Sequence, residues 1–189
     1  MLIEITQFLL NVFLHGFASL LLFRFVLQWL RAPLRNPLGE FIMAITDFMV
    51  LRVRRYIPSL WLLDTATLLL AFLVEFVYLT LTHVVLTGHS LLHFPSLGLM
   101  FLSLVELIKM SVYFLMGALI VQAILSWVNP HTPIAPLLSA ITQRFLRPLQ
   151  RALPLIGNVD LSPLVLLVAC QIILFAPIAL LENMSLRLF

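Results

Sequence analysis

The stretch TATLLLAFLVEFVYLTLTHVVLT, Thr65–Thr87, carries one charged side chain, Glu75, and no Lys or Arg. A helix that crosses the roughly 30 Å hydrocarbon core of a bilayer needs about 20 mostly apolar residues. This run satisfies that, and three others join it: Ile5–Leu30, Leu97–Val128 and Ser162–Leu181. The composition of the whole chain agrees. Of 189 residues, 62% are apolar and 10% charged, against about 25% charged in soluble domains. A chain this short still exposes roughly 30% of its unfolded surface after folding, so it cannot bury such an excess in water. Disorder is excluded by the same numbers. The fold class expected is an all-α membrane protein with four transmembrane helices.

Arginine placement sets the orientation. Arg31, Arg35, Arg52, Arg54 and Arg55 lie between spans one and two, and Arg144, Arg147 and Arg151 between spans three and four. No Lys or Arg lies from His83 to Ser103 or before Arg24, and the tail has only Arg187. The positive-inside rule puts both Arg-rich loops in the cytoplasm and both termini on the periplasmic side. Trp29, Trp61 and Trp127 fall at span ends, where amphipathic rings favour the headgroup level. The start has no basic segment and no small-residue cleavage motif, so the first run reads as a retained span. The net charge of +3 belongs to arginines beside apolar spans and predicts no nucleic-acid partner. The single cysteine, Cys170, reads as a small buried hydrophobe.

The chain also matches itself. With a shift of 96, Asn36-Pro37 meets Thr132-Pro133, Ile45-Thr46 meets Ile141-Thr142, Arg55-x-Ile57-Pro58 meets Arg151-x-Leu153-Pro154, and Asp64 meets Asp160. A two-residue gap aligns Leu27-Gln28-Trp29 with Leu125-Ser126-Trp127. Residues 1–96 and 97–189 are thus expected to be tandem repeats of two spans each. Equal orientation of the halves predicts a pseudo-two-fold axis along the membrane normal.

Each Arg-rich loop carries an amphipathic pattern. Leu38, Phe41, Ile42, Ile45, Phe48 and Met49 recur at helical spacing in the first, and Leu138, Ile141, Phe145 and Leu149 in the second. Pro37 and Pro136 suit a first helical turn, and Pro148 is expected to end or kink its helix. Such basic amphipathic helices lie in the membrane interface or cover the ends of their own bundle. Asp64 and Asp160 stand where an N-cap would accept backbone N–H groups.

These motifs resemble the YggT family (YGGT domain) of small integral membrane proteins. The resemblance rests on Gln28-Trp29, Asn36-Pro37 and Arg54-Arg55-Tyr56-Ile57-Pro58 in the first half. In the second it rests on Ser126-Trp127, Pro133-Ile134-Ala135-Pro136, Leu146-Arg147-Pro148-Leu149, Arg151-Ala152-Leu153-Pro154 and Asp160-Leu161-Ser162-Pro163. The first half departs at Thr46-Asp47-Phe48 and Arg52-Val53-Arg54-Arg55, where the family has Thr-x-Pro and Pro-Leu-Arg-Arg. In the second half Arg144 stands for a Pro and Gln150 for the first Arg of the pair. The resemblance implies a bacterial inner-membrane protein. Relatives are linked to osmotic and extracytoplasmic stress tolerance or cell division, and plastid relatives to haem attachment. It names no common reaction.

Polar residues at membrane depth are costly and therefore informative. Glu75 sits eleven residues past Asp64, roughly 16 Å deep in a helix, and its repeat counterpart is Gln171. Arg24 corresponds to Gln122 under a shift of 98. Interhelical hydrogen bonds are the expected role, with an ion or proton path through Glu75 as the alternative. Glu106 and Lys109 share a helix face and should pair. His15 is expected to make a helix contact, with haem ligation as the alternative. His83, His89 and His93 cluster in the outer loop without an acid or cysteine, and His131 reads as a turn residue. Phosphate loops and the His-Glu-x-x-His and Gly-x-Ser-x-Gly motifs are missing. No catalytic site, metal or cofactor is expected.

Three functions follow as expectations. The first is a non-enzymatic accessory protein whose Arg52, Arg54, Arg55, Arg144, Arg147 and Arg151 meet membrane lipids, other membrane proteins or a second copy of itself. The second is an oligomeric transporter or channel component, and the third a haem or cytochrome assembly factor.

Overall fold

A computed structural model describes residues 1–57, 64–87, 96–129, 132–152 and 160–186. Among these the chain is helical, without strands. Helix α1 spans Leu2–Trp29, α2 Pro37–Arg54, α3 Thr65–Thr87, α4 Ser96–Val128, α5 Ala135–Ala152 and α6 Ser162–Ser185. Helices α1, α3, α4 and α6 are long and apolar enough to cross a membrane, which makes this a multi-pass membrane protein. Two of them contain a π-helical turn, at Asn11–His15 in α1 and Leu174–Ile178 in α6.

The spans run further than the apolar runs suggested. Helix α1 starts at Leu2 rather than Ile5, and α6 continues past Leu181 because Glu182 finds a cation on α4, as described below. Helix α4 has 33 residues, about 50 Å at 1.5 Å per residue. It is one unbroken helix longer than the hydrocarbon core, without a separate interfacial segment.

Helix α1 packs along α3, α3 along α4, and α4 against α6. Each short helix packs on the two spans that flank it, α2 on α1 and α3, α5 on α4 and α6. One apolar core joins Leu21, Leu22, Leu70, Val74 and Leu107, with Val50 of α2 closing its end. A second joins Leu27, Ile42, Ala118, Leu137 and Ile141, so both short helices share one core with α1 and α4.

The stripe expected on α2 is divided. Ile42, Thr46 and Val50 are buried, whereas Phe41, Phe48 and Leu51 are exposed. The buried residues recur every fourth position and so form one face, while Phe48, though exposed, keeps a ring contact with Phe17 of α1 at 5.7 Å. Helix α5 buries Leu137, Leu138, Ile141, Thr142 and Leu146, leaving Gln143, Arg144, Arg147, Gln150 and Arg151 exposed. Pro148 does not end α5, which continues to Ala152. So near the C-terminus the ring forfeits only one backbone bond, and Gln150 in the last turn is tied to Asp160.

Asn36 caps α2. Its Oδ1 accepts from the Gly39 N–H at 2.9 Å, its Nδ2 donates to the Pro33 carbonyl at 2.6 Å, and Pro37 opens the first turn. At the end of α1, the Ala32 N–H donates to Leu27 O and the Arg31 N–H to Gln28 O. This is a Schellman closure. Its left-handed position is held by Arg31, at φ 53°, although glycine fits there without steric cost. Arg31→Gly is therefore expected to stabilise the protein by about 1 kcal/mol. A raised midpoint of thermal unfolding in detergent would confirm this; a lowered one would refute it.

Candidate functional site

Polar groups collect in two places, inside the bundle and at its arginine-bearing end. Inside, Glu75 of α3 is fully buried. The His15 Nδ1 lies 3.1 Å from each Glu75 oxygen. With its proton on Nδ1, the imidazole donates to the carboxylate and spreads its charge. His15 ends the π turn of α1, a wide turn that recurs at functional sites. Tyr78 packs its ring 5.0 Å from the imidazole, and its hydroxyl accepts from Asn11 Nδ2 at 3.3 Å. The π turn thus presents both of its terminal polar residues to α3. The interhelical contact expected of Glu75 and of His15 is one and the same.

A second ion cluster joins α4 to α6. Lys109 Nζ lies 3.2 Å from Glu106 Oε1 and 2.7 Å from Glu182 Oε1. The expected pair within α4 is present, but the shorter contact is to Glu182, beyond the expected end of span four. The sequence held a clue, since Lys109 is the sole lysine and Glu182 the last acid of the chain. Their separation of 73 residues hides the pairing. Among the described residues, no three His, Cys, Asp or Glu side chains are grouped to hold a metal ion. His89, His93 and His131 lie outside the described residues.

At the arginine-bearing end, Arg24 of α1 is 4% exposed. Its Nη1 donates to Thr46 Oγ1 at 2.6 Å and to Asp47 Oδ1 at 2.7 Å, both on α2. In the other half, the Thr142 hydroxyl of α5 donates to Gln122 Oε1 of α4 at 2.6 Å. Arg54 forms an ion pair with Asp64. Asp64 also accepts from the Thr67 hydroxyl at 2.5 Å and the Thr67 N–H at 3.4 Å. Burial pushes the Asp64 carboxyl upward, but the Thr67 and Arg54 bonds together outweigh it and hold the group below its ordinary value. Gln150 Nε2 donates to Asp160 Oδ2 at 2.8 Å, and the Ser162 N–H donates to Asp160 Oδ1 at 2.9 Å. The Ser162 bonds lead in lowering the Asp160 carboxyl.

Eight arginines of this end are exposed: Arg31 and Arg35 between α1 and α2, Arg54 in its pair with Asp64, and Arg52, Arg55, Arg144, Arg147 and Arg151, which among the described residues join no ion pair. The Arg144 guanidinium stacks 4.9 Å over the Trp29 ring, and Arg147 donates to Gln143 at 3.3 Å. Gln171 is exposed on α6, beside an open groove floored by Leu167, Val168 and Ile172.

A sequence model of the CCB3/YggT family matches residues 3–85 and 101–181. The chain is 30% identical over 167 residues to "Uncharacterized protein YggT" of Escherichia coli K12, covering 88% of this chain and 85% of that protein. It is 34% identical over 169 residues to "Uncharacterized protein in proC 3'region" of Vibrio alginolyticus, covering 87% and 89%. An uncharacterized protein of Pseudomonas aeruginosa is 35% identical over 156 residues, covering 82% and 78%. No solved structure matches.

Proposed function

The chain belongs to the CCB3/YggT family, and on that premise we propose that it is a non-enzymatic accessory protein of the bacterial inner membrane. Its arginine-bearing end faces the cytoplasm and both termini face the periplasm, a reading supported by the arginine distribution. It supports osmotic or extracytoplasmic stress tolerance, or the assembly of membrane complexes, by holding anionic lipids or partner proteins. It consists of two tandem parallel repeats, each with an amphipathic helix. Supporting this, contacts recur at equivalent positions: Arg24 with Thr46 and Gln122 with Thr142, then Arg54 with Asp64 and Gln150 with Asp160.

One observation carries the functional reading. Arg24 is buried and paired with Asp47, and the exposed Arg54 is paired with Asp64, whereas Arg52, Arg55, Arg144, Arg147 and Arg151 are exposed at the same end and among the described residues pair with no acid. Each such arginine adds on the order of 1 kcal/mol of attraction to an anionic leaflet. Five together give a strong electrostatic anchor that is sensitive to salt.

The second reading, a proton or ion path in an oligomer, is favoured by one feature, the buried Glu75 and its His15 partner beside a π turn. One experiment addresses both. A deletion strain is complemented with wild type, with these five arginines changed to Gln, or with Glu75→Gln, each at matched membrane levels. Survival after osmotic shock is expected to fall to the deletion level in the five-arginine variant and to remain in Glu75→Gln. Loss in Glu75→Gln alone would transfer the function to the interior.

A further inference from the structure

Helices α1, α4, α5 and α6 wall a cleft of about 290 Å³ that opens on the bundle surface beside the exposed Trp29, Ile108 and Ile173. Phe25 and Trp29 line it from α1, Ile108 and Ser111 from α4, Phe145 from α5 and Cys170 from α6. The walls are almost wholly hydrocarbon. The Ser111 hydroxyl is spent on the Leu107 carbonyl at 2.9 Å, so the lining offers water no partners. Its long dimension follows the helices. On α4 the lining runs from Ile108 to Leu115 and on α6 from Leu166 to Ile173, each about 10 Å of axial rise. The space is a slot that follows the helices, and its volume is well below that of a helix of about 10 Å diameter over the same length.

The slot has a charged end. Trp29 lies in its wall, and Arg144 stacks over that same ring. Stacking occupies the face of a guanidinium and leaves its in-plane N–H groups directed outward, the geometry that meets phosphate. Among the described residues no acid pairs with Arg144. We propose that the slot binds one acyl chain of an anionic phospholipid, with the lipid phosphate held at Arg144. A hydrocarbon chain restores the dispersion contacts that an empty slot forfeits, and the headgroup neutralises the rim. The proposal deepens the lipid reading of the exposed arginines, on which it rests for the headgroup contact alone.

Cys170, the sole cysteine, is a built-in reporter because it lies in the slot wall and is 2% exposed. The full chain is placed in nanodiscs of phosphatidylcholine alone or mixed with phosphatidylglycerol, and Cys170 alkylation by N-ethylmaleimide is timed. Native mass spectrometry of detergent-purified protein counts retained lipid. The wild type is expected to retain one anionic phospholipid, and phosphatidylglycerol should slow alkylation about fivefold, one arginine's share of surface attraction. Arg144→Gln should keep a lipid but lose the headgroup preference. Ala169→Phe, which fills the slot, should lose the lipid; Ser111→Phe fills it from α4 if the first variant fails to fold. Equal lipid retention in the wild type and the filled variants would overturn the proposal, as would alkylation that ignores the headgroup. The outcome is separable from the osmotic role. A slot emptied by Ala169→Phe in cells that survive shock supports the slot and detaches it from stress tolerance. Lipid retained by Ala169→Phe refutes the slot whatever the survival.

Discussion

Lys109→Met is expected to lower stability by about 3 kcal/mol, the lower end of the penalty for removing one partner of a buried ion pair, because the cluster is only part-buried. The methionine keeps the apolar stem, so the loss is chiefly electrostatic. Lys109 is the cation that Glu106 and Glu182 both contact, at 3.2 and 2.7 Å, and without it two part-buried carboxylates lose their counter-charge. The Glu182 contact also fastens the end of α6 to the middle of α4. The damage should be partly reversible by a second change. Lys109→Met with Glu182→Gln removes one stranded charge and is expected to regain a substantial part of the loss, a coupling of neighbours that a double-mutant cycle measures. Unfolding midpoints in mild detergent provide the readout. A change under about 1 kcal/mol for the single variant would mean that the cluster is solvated and carries no stability.

Gly39→Ala should be nearly as harmful for a purely steric reason. A Cβ at residue 39 would lie 2.3 Å from the Leu34 carbonyl oxygen and 2.9 Å from two further Leu34 backbone atoms. Backbone cannot step aside as a side chain can, so the turn leading into α2 must open and the Asn36 cap must be lost with it. Overpacking typically costs about 1–3 kcal/mol, and the cap adds about 1 kcal/mol. Gly117→Ala is the control. Nothing lies within 4 Å of its added Cβ, and in the interior of α4 alanine is favoured by up to about 1 kcal/mol. The two substitutions should therefore move thermal unfolding in opposite directions, and a shift of the same sign in both would refute the packing at Leu34.

The spans were legible because membrane insertion is a property of composition over about 20 residues. Asp64 was legible because its bond to the start of the next helix is local, whereas Asp160 accepts from the Ser162 N–H but stands one residue before the N-cap, Leu161. The pairings inside the bundle were not legible. His15 and Glu75 are each recognisable as polar groups at depth, but they are 60 residues apart and meet because a π turn aims one at the other. Glu182 sat beyond the expected end of its span, so its apolar neighbours gave no reason to seek a partner. The loop helices show a third kind of failure. On α2, the apolar pattern was broad enough to fit more than one face, and the face that is buried runs through Ile42, Thr46 and Val50, with the polar Thr46 inside and Phe41 and Phe48 exposed.

The π turn at Asn11–His15 also changes how α1 is phased. A π turn inserts one residue into an α-helical frame, and each residue of an α-helix advances the azimuth by about 100°. Leu2–Leu10 and Gly16–Trp29 are consequently two amphipathic wheels out of step on one shaft. Deleting one residue between them would remove that insertion and restore one continuous α-helical frame, leaving both wheels and Arg24 where they stand but relaxing the turn that presents Asn11 and His15 to α3. The pattern of α1 is therefore two helical wheels offset by about 100° in sequence, joined where His15 meets Glu75.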